Sequence, residues 1–425
     1  MSIISYIKEE IKDQYQIDNI PWIIGYSGGK DSSALLQMVW YAMRELPKEK
    51  WTKEIHVVCN DTLVENPRVV QWIDKNLERI QTAAKKEGLP IIVAKTTPEL
   101  EDSFWVNMIG KGYPAPNSSF RWCTDRLKIN PTTKYIKAQV AKKGEVIILL
   151  GTREDESSTR KKSMQKFQIS NNRLRRHVEL NLAYIYSPLK NLSNNELWQY
   201  LLQAPSPWNG TNRELITLYR NGTGDDCPLV IDTSTPSCGQ SRFGCWVCTV
   251  VKKDKSMEAL IENGEERFEP LLNLRDWLSE NRDKPEFRQL KLRSGADGKG
   301  PYNIETRAYI LKKLLEAQKV VGEKMLSTQE LKAIQVLWQL DGFATNAYEI
   351  YYQVYENKNE YNMNKKDLLK QSQLSQLSEI CHAHGINAEK MLNLVKNEKD
   401  KRLMRKRGNM QKLIDNIITE EIKKP

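Results

Sequence analysis

No apolar run in the 425-residue sequence approaches the roughly 18 residues that a membrane span requires. The longest clean one, Val146-Ile147-Ile148-Leu149-Leu150, suits a buried strand. The first ten residues, Met1 to Glu10, lack the apolar stretch of a secretory signal. The expected location is therefore the cytoplasm, with no membrane partner. Cysteine is scarce, at 7 residues. In a reducing compartment these are expected to be metal ligands or reactive thiols and not disulfides. Neither an internal repeat nor a long low-complexity tract occurs, which argues against a repeat array. Charge is plentiful: 65 Lys plus Arg against 54 Asp plus Glu give a formal net charge of +11. That balance permits a polyanionic partner without identifying one. With 40% hydrophobic residues the chain can bury a core, and its length suggests two or three domains.

Short apolar runs alternate with amphipathic stretches between Pro21 and Leu150. Trp22–Tyr26, Ile55–Cys59, Pro90–Ala94 and Val146–Leu150 read as strands; Ser32–Arg44 and Pro67–Glu87 read as helices. Such alternation predicts an α/β fold with a parallel sheet covered on both faces. Ligands on these sheets bind at the carboxyl ends of strands. Asn191–Tyr219 looks helical, residues 227–250 form a Cys-, Gly-, Pro- and Ser-rich module, and Ser294–Pro301 reads as a loop. Beyond it the chain is helical and highly charged, with a basic run at Lys401–Arg407. The expected division is residues 1–220 for the nucleotide domain, 221–294 for the cysteine module and 295–425 for a basic helical region.

Ser27-Gly28-Gly29-Lys30-Asp31-Ser32 follows the first strand and opens the first helix. Two glycines let backbone N–H groups converge on one point, Ser27 and Ser32 add hydroxyls, Lys30 adds charge, and the helix start favours an anion. This is a candidate pyrophosphate cradle. Walker A spacing is absent, since only three residues separate Gly25 from Gly29 and Asp31 follows the lysine. Asp31 would repel a phosphate unless Mg²⁺ or a hydrogen bond offset it. The loop resembles the PP-loop of the ATP pyrophosphatase superfamily of adenine-nucleotide α-hydrolase type, which cleaves ATP between the α- and β-phosphates. Gly151-Thr152-Arg153-Glu154-Asp155-Glu156-Ser157-Ser158-Thr159-Arg160 looks like the G-x-R-x-x-E-S-x-x-R signature of the branch related to phosphoadenosine phosphosulfate (PAPS) reductase. Arg153 and Arg160 suit phosphate oxygens. Asn60-Asp61 occupies the place where relatives contact the nucleoside, and Phe120–Lys128, with Cys123, resembles the substrate-side cysteine segment.

Cys227, Cys238, Cys245 and Cys248 are spaced C-x10-C-x6-C-x2-C. Four thiolates in one short module suit structural zinc or an iron–sulfur cluster, and spacing alone does not separate the two. Together with the other motifs, Arg242–Thr249 is similar to the DndC-like sulfurtransferases of DNA phosphorothioation, of which the SspD-type ATP pyrophosphatases are close relatives. The resemblance spans roughly residues 20–320. It implies a [4Fe–4S] cluster on those four cysteines. PAPS reductases share the nucleotide loops but carry a terminal Glu-Cys-Gly-x-His motif that is absent here. An adjacent Cys-Cys pair, used by reductases acting on adenosine phosphosulfate, is absent too.

The implied activity is ATP-dependent sulfur transfer to DNA. AMP is placed on a phosphate oxygen, pyrophosphate departs, and sulfur displaces AMP. Ser27, Gly28, Gly29, Lys30 and Ser32 would hold pyrophosphate, and Arg153 and Arg160 would stabilise charge. Asp31 and Glu156 are candidates for Mg²⁺. Sulfur would travel as a persulfide on Cys123, flanked by Arg121, Arg126 and Lys128, or as an extra sulfide on the cluster. The implied partners are ATP, DNA, a cysteine desulfurase as sulfur donor and other phosphorothioation subunits. Two other readings remain open: a PAPS reductase-like oxidoreductase, and a zinc-stabilised nucleic-acid-binding scaffold. Cys59 is expected in the core, Cys381-His382-Ala383-His384 at a helix end, and Trp105, Trp122 and Trp246 either in the core or stacked on a base.

Overall fold

The computed structural model describes residues 2–154, 173–221, 244–292, 295–355, 376–388 and 391. Six strands form one sheet in the order β3-β2-β1-β4-β6-β5. They are β1 (Trp22–Gly25), β2 (Ile55–Asn60), β3 (Ile91–Thr96), β4 (Val146–Leu149), β5 (Leu174–Arg176) and β6 (Ala183–Tyr186). All neighbouring pairs are parallel except β5 with β6.

Strand periodicity builds two layers of core. Trp22, Ile24, Ile55, Val57, Ile147 and Leu149 point to one face; Ile23, Val58, Val146 and Ile148 point to the other. The first face is covered by α1 (Ile3–Ile17), α2 (Lys30–Glu45) and α3 (Pro67–Glu87). Helix α2 is buried almost all round, with polar Lys30, Asp31, Ser32, Ser33 and Gln37 buried beside its apolar residues. Helix α3 starts where Asn66 caps it with Pro67 in its first turn, and stops where Gly88 takes φ +72°. On the second face lies α4 (Asn130–Lys143), whose Ile136 packs on the sheet.

The chain runs β1, β2, β3 outward and then returns to lay β4 on the other side of β1. The direction of winding reverses between β1 and β4, and in sheets of this kind ligands bind at the carboxyl ends of the strands at that point. Both motif-bearing loops, Ser27–Ser32 and the one starting at Gly151, leave from that edge.

The chain divides into two compact units, the first comprising residues 1–104, 115–282 and 320–325, the second residues 105–114, 283–319 and 326–425. In the first, the sheet is followed by α5 (Asn194–Gln203), α6 (Asn212–Asn221), α7 (Lys255–Glu262) and α8 (Glu269–Glu280). Helices α9 (Ile304–Val321), α10 (Thr328–Leu340) and α11 (Ala347–Tyr355) come next in the chain. Inside the second unit the fully buried Arg307 donates to Tyr302 and Gly110 carbonyls at 2.8 and 3.0 Å and pairs with Asp341. Among the described residues no helix is long and apolar enough to cross a membrane.

One buried titratable group on β2 gives the stability a pH dependence. His56 Nδ1 lies 2.8 Å from Tyr135 Oη. Burial holds the imidazole below its usual value of 6.5, with Glu54 opposing the shift. On acidification the unfolded chain therefore takes up this proton first. Stability conferred by neutral His56 is complete above pH 6.5 and is lost as the pH falls through the lower folded value. The urea midpoint should drop as the pH falls below 6.5, and less steeply in His56→Gln. Equal slopes in the two proteins would refute this assignment.

Candidate functional site

The loop after β1 is a closed turn. Gly28 adopts φ +77°, and a Cβ there would meet Ile73 Cγ1 at 2.8 Å. Trp72 Nε1 donates to the Gly28 carbonyl at 3.0 Å, so α3 clamps the turn from outside. Ser27 and Ser32 hydroxyl oxygens lie 3.1 Å apart, Ser32 Oγ accepts from Ser27 N–H at 3.2 Å, and it donates to the Gly29 carbonyl at 3.1 Å. Gly29 is the helix N-cap and no side chain caps it. The first N–H groups of α2 thus start a positive helix end beside two hydroxyls.

Asp31 is neutralised from two sides. Arg153 Nε donates to its Oδ1 at 2.5 Å and Lys30 Nζ lies 3.1 Å from Oδ2. All three side chains are buried, Arg153 to 4% exposure and Asp31 to 8%. The rest of the Arg153 fork reaches the Leu192 carbonyl and Asn194 Oδ1. Its observed role is to lock the loop after β4 onto the start of α2. Gly151 makes that approach possible, because a Cβ there would sit 2.8 Å from the Asp31 carbonyl oxygen. The sequence marks Gly151 as part of a motif, but its close backbone contact becomes visible only in three dimensions.

Asn60 and Asp61 end β2 at the same edge. Asn60 Nδ2 donates to the Leu127 carbonyl at 2.9 Å, and its Oδ1 accepts from Thr96 at 3.0 Å. Its amide therefore ties the Cys123 segment to the sheet. Asp61 accepts from Leu63 N–H and pairs with Lys95 at 2.9 Å. Burial would lower the Lys95 ammonium, but Asp74 and Asp61 hold it above its usual value.

The described half of the cysteine module docks on the next few residues. Trp246 N–H donates to the Val64 carbonyl at 3.0 Å and Asn66 N–H to the Gly244 carbonyl at 3.4 Å. Glu65 and Cys245 form an antiparallel bridge, and Thr62 Oγ1 lies 3.3 Å from Cys245 Sγ. Cys248 N–H returns to the Cys245 carbonyl at 3.0 Å, the tight turn expected of C-x2-C. From α8, the fully buried Arg275 donates to the carbonyls of Cys248 at 2.9 Å, Lys252 at 3.0 Å and Val251. Thr249 Oγ1 adds a bond to the Pro116 carbonyl.

Cys123, Cys245 and Cys248 line one cavity, together with Arg121, Lys128 and an apolar wall that includes Phe104 and Val247. Cys123 is thereby brought to the C-x2-C pair from 122 residues away in sequence, which spacing could not reveal. Glu65 stands beside this group. Burial pushes its carboxyl up to about 7; Asp61 adds to the shift, while Lys128 and Lys95 oppose it. Cys59 is different: burial drives its thiol well above the usual range, with Glu65 and Asp61 adding to the effect, and it belongs to the core as expected. Trp105, Trp122 and Trp246 are all buried. Cys381 is buried, whereas His382 and His384 are exposed, which fits a helix end.

Among the described residues no group of three or more His, Cys, Asp or Glu is close enough to hold a single metal ion. Cys227, Cys238, Glu156 and Arg160, all candidate site residues, lie outside the described residues, as does the Lys401–Arg407 run. The half that is described fits a cluster in chemistry and shape: partly exposed soft thiols on a tight turn, facing a cavity. Asp31 fits Mg²⁺ poorly, because both its oxygens already answer to cations.

A model of the phosphoadenosine phosphosulfate reductase domain matches residues 21–251, more than half of the chain. The chain belongs to the PAPS reductase domain family. That domain holds the sheet, the loop after β1 and the C-x2-C pair, and places the chain in the PP-loop superfamily. The chain is also similar to uncharacterized protein MJ0066 of Methanocaldococcus jannaschii, with 26% identity over 242 residues, 57% of this chain and 39% of that protein. It thus spans about two fifths of the length of that curated relative. Among solved structures it is similar to PAPS reductase from Candida auris in a phosphate complex, at 14% identity and TM-score 0.31, covering 50% of this chain and 90% of that one. It is similar also to the U34-tRNA thiolase NcsA of Methanococcus maripaludis with its [4Fe–4S] cluster, at 13% identity and TM-score 0.27, covering 72% and 88%. Likenesses this slight carry no argument about the PAPS reductase domain's site here.

Proposed function

We propose that the protein is an ATP-dependent sulfurtransferase of DNA phosphorothioation. ATP is split between its α- and β-phosphates, AMP is placed on a DNA phosphate oxygen, and sulfur then takes that oxygen's place. The observation that carries this reading is a shared edge. The phosphate loop after β1 and the cysteine cavity both hang on the carboxyl ends of the sheet, joined through the seven residues Asn60 to Asn66. Activation of an oxygen and delivery of sulfur are thereby held on one rigid frame.

In this mechanism Ser27, Gly28, Gly29, Lys30 and Ser32 bind the departing pyrophosphate at the start of α2. Asp31 and Arg153 fix that loop against the β4 edge, and Arg160 adds a second guanidinium for phosphate oxygens. Mg²⁺ arrives with ATP. Cys227, Cys238, Cys245 and Cys248 would hold a [4Fe–4S] cluster, which when bound supplies redox and sulfur chemistry at the cavity. The donors and partners are ATP, DNA, a cysteine desulfurase and other phosphorothioation subunits.

The test is product analysis with ATP labelled at the α- or γ-phosphate, in the presence of DNA and a desulfurase with cysteine. AMP and pyrophosphate should form, and nuclease digests of the DNA should contain phosphorothioate linkages. ADP with orthophosphate would refute the nucleotide step. Sulfite release from PAPS with thioredoxin would replace this reading by the oxidoreductase one. A colourless zinc protein without pyrophosphate release would replace it by the scaffold.

A further inference from the structure

The cavity beside Cys123 is lined by a guanidinium whose Nε has no acceptor among the described residues. Arg121 lines it, and its Nε is shielded from solvent without a hydrogen-bond partner there. Leaving such a donor unpaired is costly, more so when the group is charged. Of the three cations that flank Cys123 in sequence, Arg126 is paired with Asp102, while Arg121 and Lys128 line the cavity. Three thiols share that space with them.

We propose that this cavity binds an anionic sulfur species, carried on Cys123 as a persulfide whose terminal sulfur pairs with Arg121. The proposal rests on the sulfur-transfer reading above and adds the place where sulfur waits. The wall selects the ligand class. Phosphate has several strongly hydrated oxygens that Phe104, Pro116, Leu127 and Val247 cannot satisfy. A persulfide is a single, soft, weakly hydrated charge. One guanidinium pairs with it, and apolar walls keep water from it. Loading is an exchange: the Cys123 thiolate attacks the sulfane sulfur of a donor persulfide, the donor's S–S bond breaks, a new S–S bond forms on Cys123, and the donor leaves as a thiolate. Charge is conserved and no oxidant or reductant is needed.

The experiment loads the purified holoprotein anaerobically with glutathione persulfide or, separately, with sodium sulfide. Intact mass and peptide mapping then locate the added sulfur, and pyrophosphate release from ATP is measured on the same samples. The persulfide arm should add one sulfur atom to Cys123, and the sulfide arm none. Cys123→Ser should lose this adduct. Arg121→Gln should retain about tenfold less of it, the loss of one charge-assisted hydrogen bond, with Arg121→Lys between them. Wild-type loading and lifetime in Arg121→Gln would overturn the proposal. So would protection of Cys123 from alkylation by inorganic phosphate, which would mark a phosphate subsite. Absent pyrophosphate release with intact sulfur loading would sink the ATP reading and leave this one standing.

Discussion

Arg153→Met is expected to abolish pyrophosphate release and to cost about 3 kcal/mol of stability, the lower end of what breaking a buried ion pair does. The magnitude follows from what remains. Asp31 keeps Lys30 at 3.1 Å but loses a 2.5 Å charge-assisted bond in a setting where it is 8% exposed. The Leu192 carbonyl and Asn194 lose their donors as well. More damaging for chemistry, the loop after β4 is no longer fastened to the start of α2, and positioning is most of what a protein contributes to phosphoryl-group transfer. Arg153→Lys should fold nearly normally, yet an ammonium cannot span Asp31, Leu192 and Asn194 together, so activity should still fall by about 10²-fold. In the double variant Asp31→Asn/Arg153→Met the buried Lys30 loses the Asp31 carboxylate as well, so neither stability nor turnover should recover. Urea midpoints and pyrophosphate release, measured side by side, separate the two effects. Release by Arg153→Met within twofold of wild type would defeat the claim that this pair organises the loop.

The parts of the fold that could be read in the sequence are those where a local pattern carries a physical necessity. Strands β1, β2 and β4 are apolar on both faces because both are covered, β3 at the sheet edge leaves Ile92 exposed, and all four stand where the runs predict, within two residues at their ends. The helix predicted over Pro67–Glu87 has those ends because a proline and a glycine punctuate it. Strands β5 and β6 escaped notice. Leu174-Arg175-Arg176 is three residues long and mostly polar, an antiparallel edge held by its neighbour and not by its own pattern. The single helical stretch read over Asn191–Tyr219 is two helices, parted around Pro205, Pro207 and Gly210, with Asn209 at φ +60°. At the site, the order of motifs announced a phosphate loop, and the loop's own hydroxyls close it. The repulsion anticipated at Asp31 is answered by Arg153 from 122 positions downstream, an outcome no local spacing encodes. Arg121 and Lys128 were visible as neighbours of Cys123, but only the turn of the backbone decides that they, and not Arg126, line its cavity.

The cysteine half of the site depends on a residue that no motif includes. Arg275→Met is expected to free the backbone after the C-x2-C turn and to destabilise the protein by about 3–5 kcal/mol, because three buried carbonyls lose one charged donor at a stroke. Arg275 is 1% exposed, and it reaches the carbonyls of Cys248, Val251 and Lys252 from α8, the helix that follows the module. Nothing in its sequence surroundings distinguishes it, since a buried arginine on a helix face breaks the apolar period that marks the face as buried. The same residue offers a way to dissect the site. The Cys245 end of the turn remains tied to the Asn60–Asn66 segment by its bridge with Glu65 and by Trp246 N–H on the Val64 carbonyl, whereas Cys248 has Arg275 as the anchor of its carbonyl. Arg275→Lys can satisfy part of that set, so it should fold and still alkylate faster at Cys248 than at Cys245. The phosphate loop does not touch Arg275 through any bond described above, so pyrophosphate release by Arg275→Lys should stay within about threefold of wild type, a difference below one kcal/mol. Equal alkylation of the two cysteines in wild type and variant would show that the turn holds itself, and that the arginine merely fills space behind it.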